Sequence, residues 1–472
     1  MFLTTRKPEY AYKFLVYACK LNAEKELNKT LNLNILKLSK IPEIKYLFFL
    51  FFLFISKKIF NKDKRIFILY ENLEIGRFVL AETFKDFSSY DSKYVFYKKI
   101  FFNFYKAGVI IKSVKNYFSG DNNELVEAAY LDHCSYLNGI MFNFLVNKKI
   151  IVYTNNYPKS IFKFIKKKNK TSNVAYEDVL KIKNKIRVLG REKSLLAKNI
   201  LKKIHLNNNY LPWMNTTSFS QSKKININSI NYVVYAHSFT DAQLIYGNDG
   251  FENTLDWLNY TISHLRKKNS NILVKSHPNF YQKNLGEKSS FDAKLFGVIK
   301  TKYEKDLSIK FLDCPFSNNK LLKNLDKKKT ILISHHGSVL LEGAFAGFKT
   351  ISSHATFFDT KFKISNFWEN KEQYSSLLNK SHYALKFANN NDLLKLVYIL
   401  FYDKSGYFSN FFWERIVCKE LNITFEEFYK KVVFLSNKHQ KNKNFLDNKL
   451  TSVLFLKILK KLSKNISDET EH

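Results

Sequence analysis

Lys275-Ser276-His277-Pro278 sets a cation and an imidazole two residues apart, with a proline fixing the chain's exit. The Lys can meet a phosphate as a point charge, and the His can donate to it or act as a general acid. Pro278 biases His277 toward extended backbone. A surface His in a tight turn would show the same residues. A second group is Ser334-His335-His336-Gly337-Ser338, followed by Glu342 and Gly343. Gly337 permits close backbone approach, and a helix starting there presents unpaired N–H groups suited to a phosphate. Ser338 either caps that helix or donates to the phosphate. Glu342, one turn on, either accepts from ribose hydroxyls or is a solvated helix position. His335 and His336 are adjacent and point apart, with no Asp, Glu or Cys at ligand spacing nearby, so no metal site is expected. A third group, His237-Ser238-Phe239-Thr240-Asp241, offers another imidazole and an acid that is a helix cap or an orienter. The fourth is Glu71 and Glu74 ahead of Gly76: a general base facing a cleft, or loop acids near lysines.

These residues need elements to hold them. Residues 230–355 alternate strand and helix patterns. Ile230–Ala236, Asn271–Lys275, Leu307–Leu312, Thr330–Ser334 and Lys349–Ser352 read as short apolar strands. Leu255, Leu258, Ile262 and Leu265 fall at helical spacing, Asn318–Leu325 reads as a short helix, and Val339–Phe348 as an apolar helix closed by Gly347. Strand, helix and strand at this spacing predict a parallel sheet with helices on both faces, a doubly wound α/β domain. Ligands in such domains bind beyond the carboxyl ends of the strands. His237, His277 and His335–Ser338 each follow a strand directly.

The first half is less regular. Arg65–Tyr70, Lys106–Lys112 and Lys149–Thr154 read as strands and Ile75–Phe84 as a helix, which fits a second α/β domain. Residues 155–228 are polar and partly helical (Glu192–Ile204), and Thr216–Ser222 reads as an inter-domain linker. Helices are expected at Leu393–Tyr402, Phe411–Glu420 and Leu450–Leu462, with a frayed tail from Lys464. The expected division is an acceptor-side domain at 1–225, a nucleotide-donor domain at 226–395 and a helical extension at 396–472.

At this point the residues carry a resemblance. Blocks 232–280 and 330–378 resemble a family of capsular polysaccharide biosynthesis proteins. That family shows a strand ending in His-x-Phe-x-Asp (here His237 to Asp241), a Trp-containing helix (Trp257) and Lys-x-His-Pro (Lys275 to Pro278). A His-Gly-Ser segment (His336 to Ser338) then leads into a Glu-bearing helix (Glu342). The family looks like GT-B glycosyltransferases, akin to capsule Kdo transferases and bacterial sialyltransferases with their HP and Ser motifs. Teichoic-acid glycerophosphotransferases share a looser version. The match covers about 150 residues of the C-terminal half. It implies two Rossmann-like doubly wound domains facing a cleft, with C-terminal helices. It also implies an inverting, metal-independent transferase that uses a nucleotide-sugar co-substrate, CMP- or UDP-linked, and a glycan or lipid-linked acceptor. His277 would contact the donor phosphate beside Lys275, and Gly337 and Ser338 would bind the nucleotide phosphate. Glu342 would meet the ribose, and His237, Asp241 and His336 would complete the donor side. Sialyltransferase-like enzymes use an acidic pair before a Gly as base. Here Asn248-Asp249-Gly250 matches partly in the C-terminal half, and Glu71 to Gly76 matches loosely in the N-terminal half. A CDP-alcohol glycerophosphotransferase or a non-catalytic scaffold in capsule assembly would carry the same donor motifs.

Composition bounds the partners. The 472 residues suffice for about three domains, or two larger ones. Lys and Arg number 77 against 41 Asp and Glu, a net charge of +36. Only seven of the basic residues are Arg, whereas base reading favours Arg, and no zinc finger, RRM signature or basic helix with stacking aromatics is present. No specific nucleic-acid partner is expected. An anionic membrane face remains a candidate partner for the lysine surface, including Lys57, Lys58 and Lys166–Lys168. Cys19, Cys134, Cys314 and Cys418 form no metal clip, and Met1–Tyr10 lacks a signal-peptide pattern, so a cytoplasmic location, peripheral on the inner membrane face, is expected. The apolar run Tyr46–Ile55 is too short to span a bilayer, which needs roughly 20 residues. A buried element is the favoured reading, and an interfacial segment with snorkelling lysines the alternative.

Overall fold

The apolar run becomes helix α1 (Ile44–Ile55), which buries only the stripe Tyr46, Leu50 and Leu53. The expectation of a buried element therefore fails for most of its surface. A two-residue turn joins β1 (Leu69–Tyr70) to β2 (Leu73–Glu74), with Glu71 and Asn72 both left-handed, at φ 48° and 63°. The strand expected over Arg65–Tyr70 shrinks to β1 because the start of α2 (Gly76–Lys85) folds onto it. The Ile75 and Gly76 amides both donate to the Ile68 carbonyl, at 3.1 and 2.9 Å. Arg65–Phe67 is a 3-10 turn.

The strand expected at Lys106–Lys112 lies inside the 27-residue helix α3 (Lys93–Ser119). Ile100, Phe104, Ala107, Ile111, Val114 and Phe118 alternate by four and three residues and form its buried stripe. A seven-residue window sees only the β-branched run, not this period. Next come β3 (Ala128–Leu131), α4 (Asn138–Asn147), β4 (Ile151–Asn156), where a strand was expected, β5 (Ser160–Phe164) and α5 (Arg191–His205).

The following strands are β6 (Tyr232–Tyr235), β7 (Ile272–Lys275), β8 (Ile309–Leu312), β9 (Ile331–Ser334), β10 (Lys349–Ser353) and β11 (Asn366–Trp368). Between them run α6 (Thr254–Lys267), α7 (Glu287–Tyr303), α8 (Asn318–Lys323) and α9 (Val339–Phe345). After them come α10 (Lys371–Asn379), α11 (Asn390–Phe401) and β12 (Tyr407–Ser409). The computed structural model describes residues 39–119 except 63, 128–131, 136–148, 151–156, 160–164, 188–205, 227–281 except 228, 242, 245 and 246, 287–354 except 315, 362–401 and 407–409. The linker at 216–222, the helices expected at 411–420 and 450–462, and the tail lie outside the described residues.

Strands β6 to β11 form one sheet in the order β11-β10-β9-β6-β7-β8, and every pair is parallel. The chain winds outward from β6 through β7 to β8, then restarts at β9 on the other side of β6. This is the doubly wound order, with its switch point between β6 and β9. The α/β class and this parallel sheet agree with the sequence reading. Strands β6, β7, β9 and β10 are buried at every position, as both covered faces require. Val234 packs on one face with Trp257, Leu258 and Phe296, whereas Val233 and Tyr235 pack on the other with Leu321 and Phe348.

The described N-terminal sheet has four strands in the order β12-β5-β4-β3 and is mixed: β3–β4 is parallel, β4–β5 and β5–β12 antiparallel. After α11, which spans the boundary placed at 395, the chain thus returns to the N-terminal sheet. Leu340 and Leu341 of α9 and Leu393, Leu396 and Val397 of α11 share the N-terminal hydrophobic core.

Candidate functional site

Register sets the height of the site. Tyr235 pairs with both Lys275 and Ser334, so β6, β7 and β9 end level. The chain then exits each strand into a His-bearing loop. The rings of His237 and His336 lie 3.9 Å apart between centroids, and His237 and His277 lie 5.2 Å apart. Three residues far apart in sequence therefore meet at the switch point.

These imidazoles are neutral at pH 7. Burial, then the neighbouring His335, pulls His237 down to about 4. Burial, His237 and Lys275 pull His277 down to about 3. Burial and the surrounding histidines hold His336 well below the ordinary imidazole value. A neutral imidazole keeps one donor and one acceptor nitrogen. The cluster can therefore donate to an arriving phosphate or take a proton from it.

His335 extends the cluster sideways. Its Nε2 is 2.7 Å from Asp249 Oδ2, and its Nδ1 is 2.7 Å from His336 Nδ1. Trp257 and Trp368 present edge-on contacts to the His335 ring. Burial pushes the Asp249 carboxyl up, but the His335 charge and hydrogen bond, with a Ser353 hydrogen bond, outweigh it and hold the group below its ordinary value. The Nδ1–Nδ1 contact needs one of the two rings to donate from Nδ1 and the other to accept there. The sequence reading names His335 and Asp249 in separate groups, assigns neither a role in the donor site and does not pair them. Their separation by 86 positions, from 249 to 335, gave no local signal.

Beneath the histidines lies a buried polar layer. Burial lowers Lys275 to about 8 against the pull of Glu342, and it raises Glu342 to about 7 against an Asn318 hydrogen bond and Lys275. Asn318 Nδ2 donates to Glu342 Oε2 at 2.7 Å, and Tyr235 Oη donates to Asn318 Oδ1 at 2.7 Å. Glu342 is thus not the solvated helix position that its sequence context allowed. Gly337 has φ 134°, and a Cβ there would have nothing within 4 Å, so space opens at this turn. Ser338 stands at the start of α9 but makes no side-chain capping bond.

The loop after β6 is held from both halves of the chain. Asp292 of α7 accepts from Ser238 Oγ, the Phe239 amide and Thr240 Oγ1. Burial nonetheless raises its carboxyl to about 6. Three N-terminal side chains reach the same loop: Tyr136 donates to Asp241 Oδ1 at 2.7 Å, Arg77 to the Leu244 carbonyl at 3.2 Å, and Tyr90 to the Phe239 carbonyl. Arg77 also holds both oxygens of Glu74, at 2.9 and 3.0 Å. Glu71, at the hairpin tip, pairs with Lys115 at 2.6 Å. The structure thus gathers His237, His277, His336, Gly337, Lys275 and Glu342, ties Asp241 to Tyr136, and engages Glu71 and Glu74 in ion pairs. Among the described residues no group of three or more His, Cys, Asp or Glu has metal-holding geometry.

No protein-family model matches the chain, and no curated protein matches it. Among solved structures it is similar to Thermosulfurimonas dismutans KpsC, a beta Kdo 2,4 transferase, at 12% identity and a TM-score of 0.34, over 57% of this chain and 78% of that one. It is also similar to Methanocaldococcus jannaschii UDP-GlcNAc 2-epimerase in complex with UDP-GlcNAc and UDP, at 15% identity and a TM-score of 0.27, over 63% of this chain and 81% of that one. Likeness at these scores assigns neither a residue nor a reaction.

Proposed function

We propose that this chain is a glycosyltransferase of surface (capsular) polysaccharide assembly. It would transfer a sugar from a CMP- or UDP-linked donor to a glycan or lipid-linked acceptor, with inversion and without a metal. The observation that carries the reading is the convergence of His237, His277 and His336 at the switch point, above the buried Lys275 and Glu342. Doubly wound sheets take nucleotide ligands at that place. In the transfer, the acceptor hydroxyl oxygen attacks the anomeric carbon and its proton passes to a base. The bond from that carbon to the donor phosphate oxygen breaks, and the nucleotide leaves with the electron pair. His277 donates to the departing phosphate while Lys275 offsets its charge. The space at Gly337 admits the phosphate to the backbone, Ser338 has its hydroxyl available for it, and Glu342 faces the ribose.

Glu74 is the better placed of the two expected bases, because Arg77 bridges it to the Leu244 carbonyl in the loop that carries His237. Glu71 pairs with Lys115 in the cluster around Glu43 and Tyr70. Both carboxylates being ion-paired favours one second reading, a nucleotide-binding scaffold without transfer activity.

Calorimetry of the purified chain with CMP, CDP, UDP and GDP tests the donor site. The expected result is a cytidine or uridine preference, with at least tenfold weaker binding in His277→Ala and Ser338→Ala. Equal, weak binding of all four, unchanged in the variants, refutes the reading. Turnover of CDP-glycerol but not of CMP-sugars would instead make the chain a glycerophosphotransferase, and binding without turnover a scaffold.

A further inference from the structure

Helix α1 is apolar on all sides yet packs on one only. Tyr46 locks it to α3: its hydroxyl donates to the Phe104 carbonyl at 2.9 Å, and its ring fills the space a side chain at Gly108 would need. On the remaining surface Ile44, Phe48, Phe51, Phe52, Phe54 and Ile55 are each half exposed or more, Phe48 at 70%. The aromatic surface continues from Phe54 through ring contacts to Phe60 and to Phe101 of α3. A Phe side chain spans roughly 150–250 Å², so this patch exceeds the few hundred Å² that monomers ordinarily expose. A helix apolar all round normally lies in a core or a membrane.

We infer that α1 docks this protein onto an anionic bilayer surface, lying in the plane of the interface. Length excludes a crossing: the 12 residues of α1 reach about 18 Å at 1.5 Å each, against a hydrocarbon core of about 30 Å. No helix among the described residues is long and apolar enough to cross a membrane. Charge decides for lipid over a second copy. Residues 44–55 contain no acid, Lys45 sits near one end, and Lys57 and Lys58 follow the other. Lys58 Nζ lies over the exposed Phe52 ring, 5.6 Å from its centroid, so a cation sits directly beside the apolar face. A two-fold pairing of α1 with its own copy would set these lysines against one another in either direction. An anionic headgroup layer meets them favourably. The inference does not rest on the donor reading, since α1 contributes nothing to the histidine cluster.

Vesicle flotation of the full chain tests it, with phosphatidylcholine vesicles alone and with vesicles containing 30% phosphatidylglycerol. The chain should float with the anionic vesicles at least tenfold more strongly, and the binding should weaken as salt rises. Phe48→Glu/Phe51→Glu/Phe52→Glu should lose at least tenfold of this binding. Lys57→Gln/Lys58→Gln should lose severalfold on anionic vesicles only. The substituted phenylalanines are exposed, so nucleotide binding and thermal unfolding of the triple variant should match the parent and report an intact fold. Failure to float, flotation unchanged in the triple variant, or a parent dimer that the triple variant splits without affecting lipid binding would each overturn the inference.

Discussion

The histidine cluster should make the fold acid-sensitive in a way one substitution removes. His277 is held at about 3 and His237 at about 4, against 6.5 for a free imidazole. Below pH 6.5 the unfolded chain binds protons that the folded site refuses. Stability from this source is therefore complete above pH 6.5 and is lost as pH falls toward the folded values. At pH 5.0 the window for His277 is 1.5 units wide, which at about 1.4 kcal/mol per unit is a loss of about 2 kcal/mol. Urea unfolding at pH 7.5 and 5.0 measures it. The parent should lose about 2 kcal/mol more between the two pH values than His277→Asn, whatever the variant's stability at pH 7.5. Asp292 and Glu342, raised to about 6 and about 7, run in the opposite direction, because their folded forms hold protons that the unfolded chain has released. They are present in both proteins, so the difference between parent and variant cancels them to first order. Equal losses would refute a desolvated, neutral His277.

Two further expectations concern packing. Asn318→Ala strips a buried partner from both Glu342 and Tyr235 and should lower unfolding stability by about 1–3 kcal/mol in urea titrations. Gly139→Ala would drive a Cβ into the Phe78 ring and should lose about 1–3 kcal/mol from overpacking, whereas Gly190→Ala, with nothing within 4 Å of its Cβ, should stay within about 0.5 kcal/mol of the parent.

The C-terminal sheet was legible because each strand is a short apolar run that ends in a polar break, and parallel strands buried on both faces leave that signature. The same breaks marked His237, His277 and His336, whose rings converge where the strands stop. What stayed hidden was lateral. Asp249 and His335 touch across 86 positions, and Asp292 secures a loop more than 50 positions before it. Pairings of that span depend on which loops the topology stacks, and no local pattern encodes them. The N-terminal half misled for another reason. Lys106–Lys112 has strand propensity, but packing of the six-residue stripe from Ile100 to Phe118 overrides it within a long helix. The run at Tyr46–Ile55 looked like core because hydrophobicity alone does not say what covers it; only the position of α1 against α3 shows that one stripe is taken.

Within a chain of net charge +36, two settings make opposite physical demands on positive charge. At the strand ends positive charge is scarce: three imidazoles are kept neutral, and the buried Lys275 is offset by Glu342. A site built this way holds one desolvated cation, Lys275, among imidazoles that are neutral at pH 7. It supplies hydrogen bonds, and gains further charge as an arriving anion raises the proton affinity of its histidines. Around α1 the lysines stay solvated beside exposed phenylalanines, where charge costs little to maintain and acts over about a Debye length. Such a rim attracts an extended anionic surface, not a single phosphate. The two settings are separable by salt: binding at the rim should fall steeply as ionic strength rises, whereas a desolvated cluster of neutral donors responds weakly. The docking inferred for α1 would thus use these solvated lysines, and the proposed donor site the sparing charge at the switch point.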